Sequence, residues 1–368
     1  MVSAAPAFVP QPLGPPPPLD PAKLEAFMGR AVIDMGAALH AVLVLLGDRL
    51  GLYKAMGDSQ PITPAELAQR TGTSARYVQE WLNANAASGY VLYDAASATY
   101  TLPPEQALAL AVENSPAFIH GLFQIISACF HDSDRIEDAF RTGAGMGWHE
   151  HHHDLFHGTE RFFRPGYLAN LTTSWIPALD GVEAILQRGG KVADIGCGLG
   201  ASTILMAQAY PASEFFGFDY HAGSIDLARA AAKREGLSDR LHFEVAPAKG
   251  YPGKDYDFVA FFDCLHDVGD PKGAAKYVHS TLKPGGTWMI VEPFADNATE
   301  NNLNPVGRVF YSASTMLCVP ASLSQEVGAA LGAQAGEKRI GDVVTAGGFH
   351  HFRRAAQTPF NLIFEARP

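Results

Sequence analysis

The chain has 368 residues, 47% of them apolar and 18% charged, enough to bury a large core and too many for one ordinary domain, so two folded domains are expected. A formal net charge of −11 argues against a nucleic-acid partner, whose backbone must be neutralised by basic side chains, and favours a small-molecule substrate. Cys129, Cys197, Cys264 and Cys318 contain no CxxC pair, which excludes a zinc ribbon and a disulfide framework and suits free thiols in a cytoplasmic protein.

The first ten residues lack the basic and apolar regions of an export signal, and the proline run LGPPPPLDP marks residues 1–20 as a mobile tail. From Pro21 to Met56, apolar residues at helical spacing (Leu24, Phe27, Met28, Val32, Met35, then Leu43, Leu46, Leu50) predict one or two long helices. The apolar run Ala37–Leu46, broken by His40, is too short to span a bilayer, so no membrane partner is expected. These helices are instead expected to be buried, against a second copy in a homodimer.

Thr63-Pro64-Ala65-Glu66 combines an N-cap, a proline at the first helical position and a capping-box glutamate. A second helix follows from Ser74 to Ala87, with Tyr77, Leu82 and Ala86 on one face and Gly89 as its stop. Runs at Tyr90–Tyr93 and Thr99–Leu102 predict a hairpin, so the order is that of a winged helix, within a helical domain over 21–105 that serves dimerisation. Between Asp48 and Pro103 four basic residues face five acidic ones, a net of −1, which disfavours DNA binding by this module.

Residues 106–180 read as a helical linker that contributes to an acceptor pocket. Its segment from Gly147 to His157 holds His149, His151, His152, His153 and His157. If helical, His149, His153 and His157 share one face, a spacing open to a divalent ion. No HExxH-type ligand pattern is present, and the preferred reading makes Trp148, His149, His153 and Phe162 part of a polar, aromatic substrate wall with no metal.

Lys191–Ile195 has strand character and runs into Gly196-Cys197-Gly198-Leu199-Gly200-Ala201 and then a helix, a turn that brings backbone amides close to a ligand. A nicotinamide dinucleotide satisfies the same glycine spacing. Asp194, two residues before the first glycine, separates the readings, because a carboxylate suits a cationic amino-acid moiety and repels a pyrophosphate. The closing segments, Phe349–Arg353 and Phe360–Glu365, look antiparallel, whereas a dehydrogenase continues a parallel pattern.

DIGCGLG resembles the first motif of class I S-adenosylmethionine-dependent methyltransferases, and the later motifs follow in order. Phe216–Asp219 is a second strand whose acid lies 23 residues after Gly196, placed for a ribose. His242–Val245, Tyr256–Phe262 ending in Asp263, and Trp288–Glu292 complete the parallel strands, and Ala246–Ala248 holds the position that lines the adenine in the family. The resemblance implies a Rossmann-like, seven-stranded α/β domain over 181–368 preceded by the winged helix. It also implies S-adenosylmethionine bound by Asp194, Gly196, Cys197, Gly198, Gly200, Asp219, Tyr220, Ala246 and Asp263.

After the fourth of these strands comes Leu265-His266-Asp267-Val268-Gly269-Asp270-Pro271, similar to the LHDW-type segment of winged-helix O-methyltransferases of plants and bacteria. That resemblance makes His266 the general base and Asp267 its neighbouring acid; the sequence departs from it at Val268-Gly269. A histidine suits the task because its ordinary pKa, near 6.5, lets it take a proton from a hydroxyl. It is equally a residue that caps the helix starting near Pro271. The expected activity is transfer of a methyl group to a small aromatic or apolar acceptor. The accepting atom (O, N, S or C) is left open, and a cofactor-sensing transcriptional regulator and a nicotinamide-dependent oxidoreductase are the alternatives.

Overall fold

A computed structural model describes residues 17–368. The tail expected over 1–20 falls mostly outside these residues; within them, Asp20 caps the first helix by accepting from the amides of Ala22 and Lys23. That helix, α1 (Pro21–Arg49), is followed by α2 (Leu52–Ala55), α3 (Pro64–Thr71), α4 (Ala75–Ala87) and a hairpin of β1 (Leu92–Asp94) and β2 (Thr99–Thr101). The capping box is formed, with the Thr63 hydroxyl accepting from Glu66 N and Glu66 accepting from Thr63 N, and Gly72 ends α3 at a positive φ. Ser74 sits at the N-cap of α4 without a side-chain bond. The buried face of α4 is Val78, Trp81, Leu82 and Asn85; Tyr77, expected on it, is 82% exposed.

Within the single chain α1 is covered only in part. Leu24, Phe27, Met28, Val32, Ile33, Met35 and Leu39 are exposed along most of its length, and only its C-terminal third packs, through Val44 and Leu45. At 29 residues, with an 18-residue stretch of mean hydropathy 1.7, α1 is also long and apolar enough to cross a bilayer by length and composition, which amends the reading of its apolar run as too short.

The linker folds as α5 (Pro104–Leu110), α6 (His120–His131), α7 (Ser133–Thr142) and α8 (Asp154–Asn170). Helices α6 and α8 cross at two glycines: a Cβ on Gly121 meets Phe162 N at 2.3 Å, and one on Gly158 meets Gly121 O at 2.9 Å. The backbones touch only because neither residue carries a side chain. Arg161 on α8 clamps Asp48 of α1 at 2.7 and 3.2 Å, which ties the winged helix to the linker.

The C-terminal domain is built of α9 (Val182–Arg188), β3 (Lys191–Ile195), α10 (Ala201–Ala209), β4 (Glu214–Asp219), α11 (Ala222–Arg234), β5 (Leu241–Val245), β6 (Tyr256–Phe262), α12 (Pro271–Thr281) and β7 (Leu282–Pro293). After these come α13 (Pro305–Ala313), α14 (Val319–Leu323), α15 (Gly336–Ala346), β8 (His351–Gln357) and β9 (Asn361–Arg367). The seven strands lie in the order β5-β4-β3-β6-β7-β9-β8, parallel except for β9, which is antiparallel to β7 and to β8. The cores of β6 (Phe258–Phe262) and β7 (Trp288–Val291) read as continuous apolar runs because clusters packed on both faces of the sheet bury them. After β3 the chain moves to β4 on one side, and after β6 to β7 on the other. A crevice therefore opens beyond the carboxyl ends of β3 and β6, the ligand position in open α/β sheets.

Candidate active site

The crevice is a cavity of about 570 Å³, roofed by α8 and by α13, which runs through a wide turn at Ser314–Cys318 into α14. Its floor is the loop after β3. Gly196 N and Cys197 N donate to Phe218 O (2.8 and 3.1 Å), and Gly198 N donates to Asp219 Oδ2 at 3.0 Å. Gly196 has φ +72°, and a Cβ there meets Cys264 Sγ at 2.8 Å. Both the turn and the close approach exclude a side chain.

Of the residues expected to hold a cofactor, Gly196, Cys197, Gly198, Asp219, Tyr220, Ala246 and Asp263 line this cavity. Asp194 and Gly200 do not. Asp194 is fully buried below the loop, where Oδ2 accepts from the Ser202 and Thr203 hydroxyls at 2.7 Å each and Oδ1 meets no partner; burial pushes it up to about 6. Gly200 starts α10 against Phe243, so its role is packing.

Of the residues expected in a substrate wall, Trp148, His149 and Phe162 line the cavity, and His149 meets Tyr220 edge-on at 5.9 Å. His153 does not: its side chain is 75% exposed, which corrects its place in a substrate wall. The shared helical face of His149, His153 and His157 is also absent. Residues 148–150 form a short turn, His151 is extended, and α8 starts only at Asp154. What breaks the helix is Asp132, which accepts from the His151 ring at 2.8 Å and from His152 N at 3.1 Å. His152, His153 and Asp154 do come within metal-ligand reach of one another, but Asp154 is already neutralised by Arg49 at 3.0 Å.

His266 lies in the cavity wall after β6, held by a group the sequence reading overlooked. Glu292, buried at the end of β7, accepts from Leu265 N at 3.0 Å through Oε1 and from His266 Nδ1 at 2.6 Å through Oε2. The opposite ring nitrogen, Nε2, lies 3.2 Å from Asp267 Oδ1, and Cys318 Sγ is within 4.8 Å of both. Burial alone lowers the histidine, but the carboxylates of Asp267 and Glu292 together outweigh it and hold the imidazole well above its ordinary pKa. His266 does not cap the next helix; Asp270 does, accepting from Gly273 N at 2.9 Å. A glutamate closing the apolar strand Trp288-Met-Ile-Val-Glu292 was the available signal, since an acid at the carboxyl end of a central strand faces the crevice.

Asp263 accepts from the Tyr167 hydroxyl at 3.2 Å and from Asn361 Nδ2 at 2.8 Å, and what remains exposed of it faces the cavity. Burial, reinforced by the negative charge of Glu292, pushes it up to about 8. Between about pH 4, the unfolded value, and pH 8 the native state thus holds a proton that the unfolded chain has released. Stability then falls as pH rises across that window, by up to about 1.4 kcal/mol per unit. Asp263→Asn removes this slope, so its melting temperature relative to the parent should climb from pH 5 to pH 8; a difference independent of pH contradicts the assignment.

Comparison with known proteins bears on both halves of the chain. Residues 37–112 match the Rv2258c-like winged HTH domain family, and residues 186–339 match a methyltransferase domain family. Phosphoethanolamine N-methyltransferase 1 of Arabidopsis thaliana is 32% identical over 139 residues, 36% of this chain and 26% of that protein. The chain matches only about a quarter of the length of the first such curated relatives. Among solved structures, an O-methyltransferase family protein of Burkholderia thailandensis superposes with a TM-score of 0.68 at 16% identity, covering 92% of this chain and 98% of that one. Human N-acetylserotonin methyltransferase, solved with S-adenosylmethionine, gives 0.67 at 16%, covering 95% and 98%. These likenesses extend over both domains and establish a common fold.

Proposed function

The chain joins a winged helix-turn-helix domain to a methyltransferase domain, and from that premise we propose that it is an S-adenosylmethionine-dependent O-methyltransferase of a small aromatic or apolar acceptor, with His266 as general base. The observation that carries the reading is the cavity's charge. Asp219, Asp267 and Glu160 line it beside an Asp263 that burial pushes up to about 8, and neither lysine nor arginine is among the described residues that do. Such a site suits a sulfonium cofactor with a cationic amino-acid end and offers nothing to a pyrophosphate. Asp219 and the backbone of Gly196–Gly198 would hold the cofactor.

When bound, S-adenosylmethionine supplies a methyl group already activated by the sulfonium charge, so what the chain must contribute is chiefly alignment and proton removal. Glu292 holds the Nδ1 proton of His266, so that once the ring is neutral its Nε2 is the nitrogen that accepts a proton from the acceptor hydroxyl. A hydroxyl that takes the place of Asp267 beside Nε2 also removes one of the two carboxylate contacts that keep the ring protonated. Phe156, Phe162 and Trp148 supply the apolar wall that keeps water from the reacting oxygen. Calorimetric titration tests the cofactor: S-adenosylhomocysteine should bind with one site per chain and NAD should not, and the reverse sinks the proposal.

The uncovered face of α1 suits a second copy of the chain, its apolar side chains meeting their equivalents across a two-fold axis in a cytoplasmic homodimer. Sedimentation should show a dimer that the double substitution Phe27→Glu and Leu39→Glu converts to monomer; an unaltered dimer places the contact elsewhere.

A further inference from the structure

The face that α8 turns to the cavity is Phe156, Thr159, Glu160, Phe163 and Tyr167, positions i, i+3, i+4, i+7 and i+11 of one helix. Glu160 is the one acid in that stripe, with Phe156 a turn before it and Phe163 a turn after. Its single ion-pair partner among the described residues is Arg164, whose Nε stands 3.6 Å away, beyond a good hydrogen bond, while the same guanidinium donates to Asn114 at 2.7 Å. The carboxylate is 26% exposed, and it belongs to a cavity wall with no lysine or arginine. A carboxylate on an aromatic-lined wall, with one loosely held ion-pair partner, is an arrangement that receives an organic ammonium, which gains a charge-assisted hydrogen bond and aromatic contact together.

We propose that the acceptor of this methyltransferase carries a protonated amine on its aromatic or apolar body, and that Glu160, flanked by Phe156 and Phe163, binds that amine. The inference rests on the O-methyltransferase reading and narrows it. An ammonium held at Glu160 has no free lone pair, so it is the group recognised, and the hydroxyl presented to His266 is the group methylated. Acceptors bearing a carboxylate or phosphate near the amine position are disfavoured, because they would face Glu160 with no lysine or arginine in the cavity wall to offset the repulsion.

Three probes of one shape test this: tyramine, 4-ethylphenol and 4-hydroxyphenylacetate, each titrated by calorimetry with and without S-adenosylhomocysteine. Tyramine is expected to bind about tenfold more tightly than 4-ethylphenol or better, with the acid weakest, and Glu160→Gln should bring the tyramine to 4-ethylphenol ratio to within about twofold. The proposal is overturned if tyramine fails to bind the parent, if it gains nothing over 4-ethylphenol, or if its advantage survives in Glu160→Gln. S-adenosylhomocysteine titrated alone reports separately on the methyltransferase reading and on the integrity of the variant. Its failure to bind the parent sinks that reading whichever way the three phenols are ordered.

Discussion

His266→Ala should lower turnover by about 10²- to 10⁴-fold, the usual contribution of a positioned general base, while S-adenosylhomocysteine binds within a few-fold of the parent. The two readouts separate because His266 follows β6, whereas the glycine loop and Asp219 follow β3 and β4. Alanine also leaves the buried Glu292 without its hydrogen-bonded partner, and breaking a buried pair from one side costs about 3–5 kcal/mol. His266→Asn is therefore the companion variant: its amide can still donate to Glu292, yet it has no basic nitrogen. If the asparagine variant methylates at the parent's rate, His266 only supports the wall and the proton leaves by another route.

Much of the cofactor half was legible in the sequence because it is made of local features. The glycine turn, the acid that ends β4 and the histidine after β6 each follow directly from a strand, and a strand's carboxyl end fixes where its next residues lie. Asp194 and Gly200 show the limit of that logic: they belong to the motif, but one points below the loop and the other packs on Phe243. The histidine-rich segment was misread for a different reason. Its helical spacing presumed a helix, and the bonds that Asp132, some 20 residues earlier in the chain, accepts from His151 and His152 were the stronger competitor. Glu160 and Cys318 were passed over because nothing adjacent marks them. They reach the cavity only when α8 crosses α6 at Gly121 and when the wide turn of residues 314–318 redirects the helix that begins at Pro305. The exposure of α1 was likewise hidden, since an apolar helix has the same sequence pattern whether its partner is the same chain or another.

Glu292→Gln should be nearly as damaging as the loss of His266, although it exchanges a single heavy atom that never touches the acceptor. Glu292 accepts two bonds, from Leu265 N through Oε1 and from His266 Nδ1 through Oε2. A glutamine has one acceptor oxygen and one donor nitrogen, and the backbone amide of Leu265 can only donate, so the oxygen must stay there and the NH₂ group must face the imidazole. Nδ1 is then forced to accept, and the ring proton of neutral His266 moves to Nε2, where a proton blocks the very atom that has to receive one. The same tautomer error in a serine-protease triad costs about 10⁴ in turnover, and a fall of about 10²- to 10⁴-fold is expected here with S-adenosylhomocysteine affinity retained. The ring's ¹⁵N chemical shifts offer a readout that a merely structural role would not move: they should report an imidazolium protonated on both nitrogens in the resting parent and a neutral ring protonated on Nε2 in the variant. Unchanged shifts with full activity would show that Glu292 does not set the tautomer. Unchanged shifts with lost activity would move its role from orientation to the charge it places behind the imidazolium.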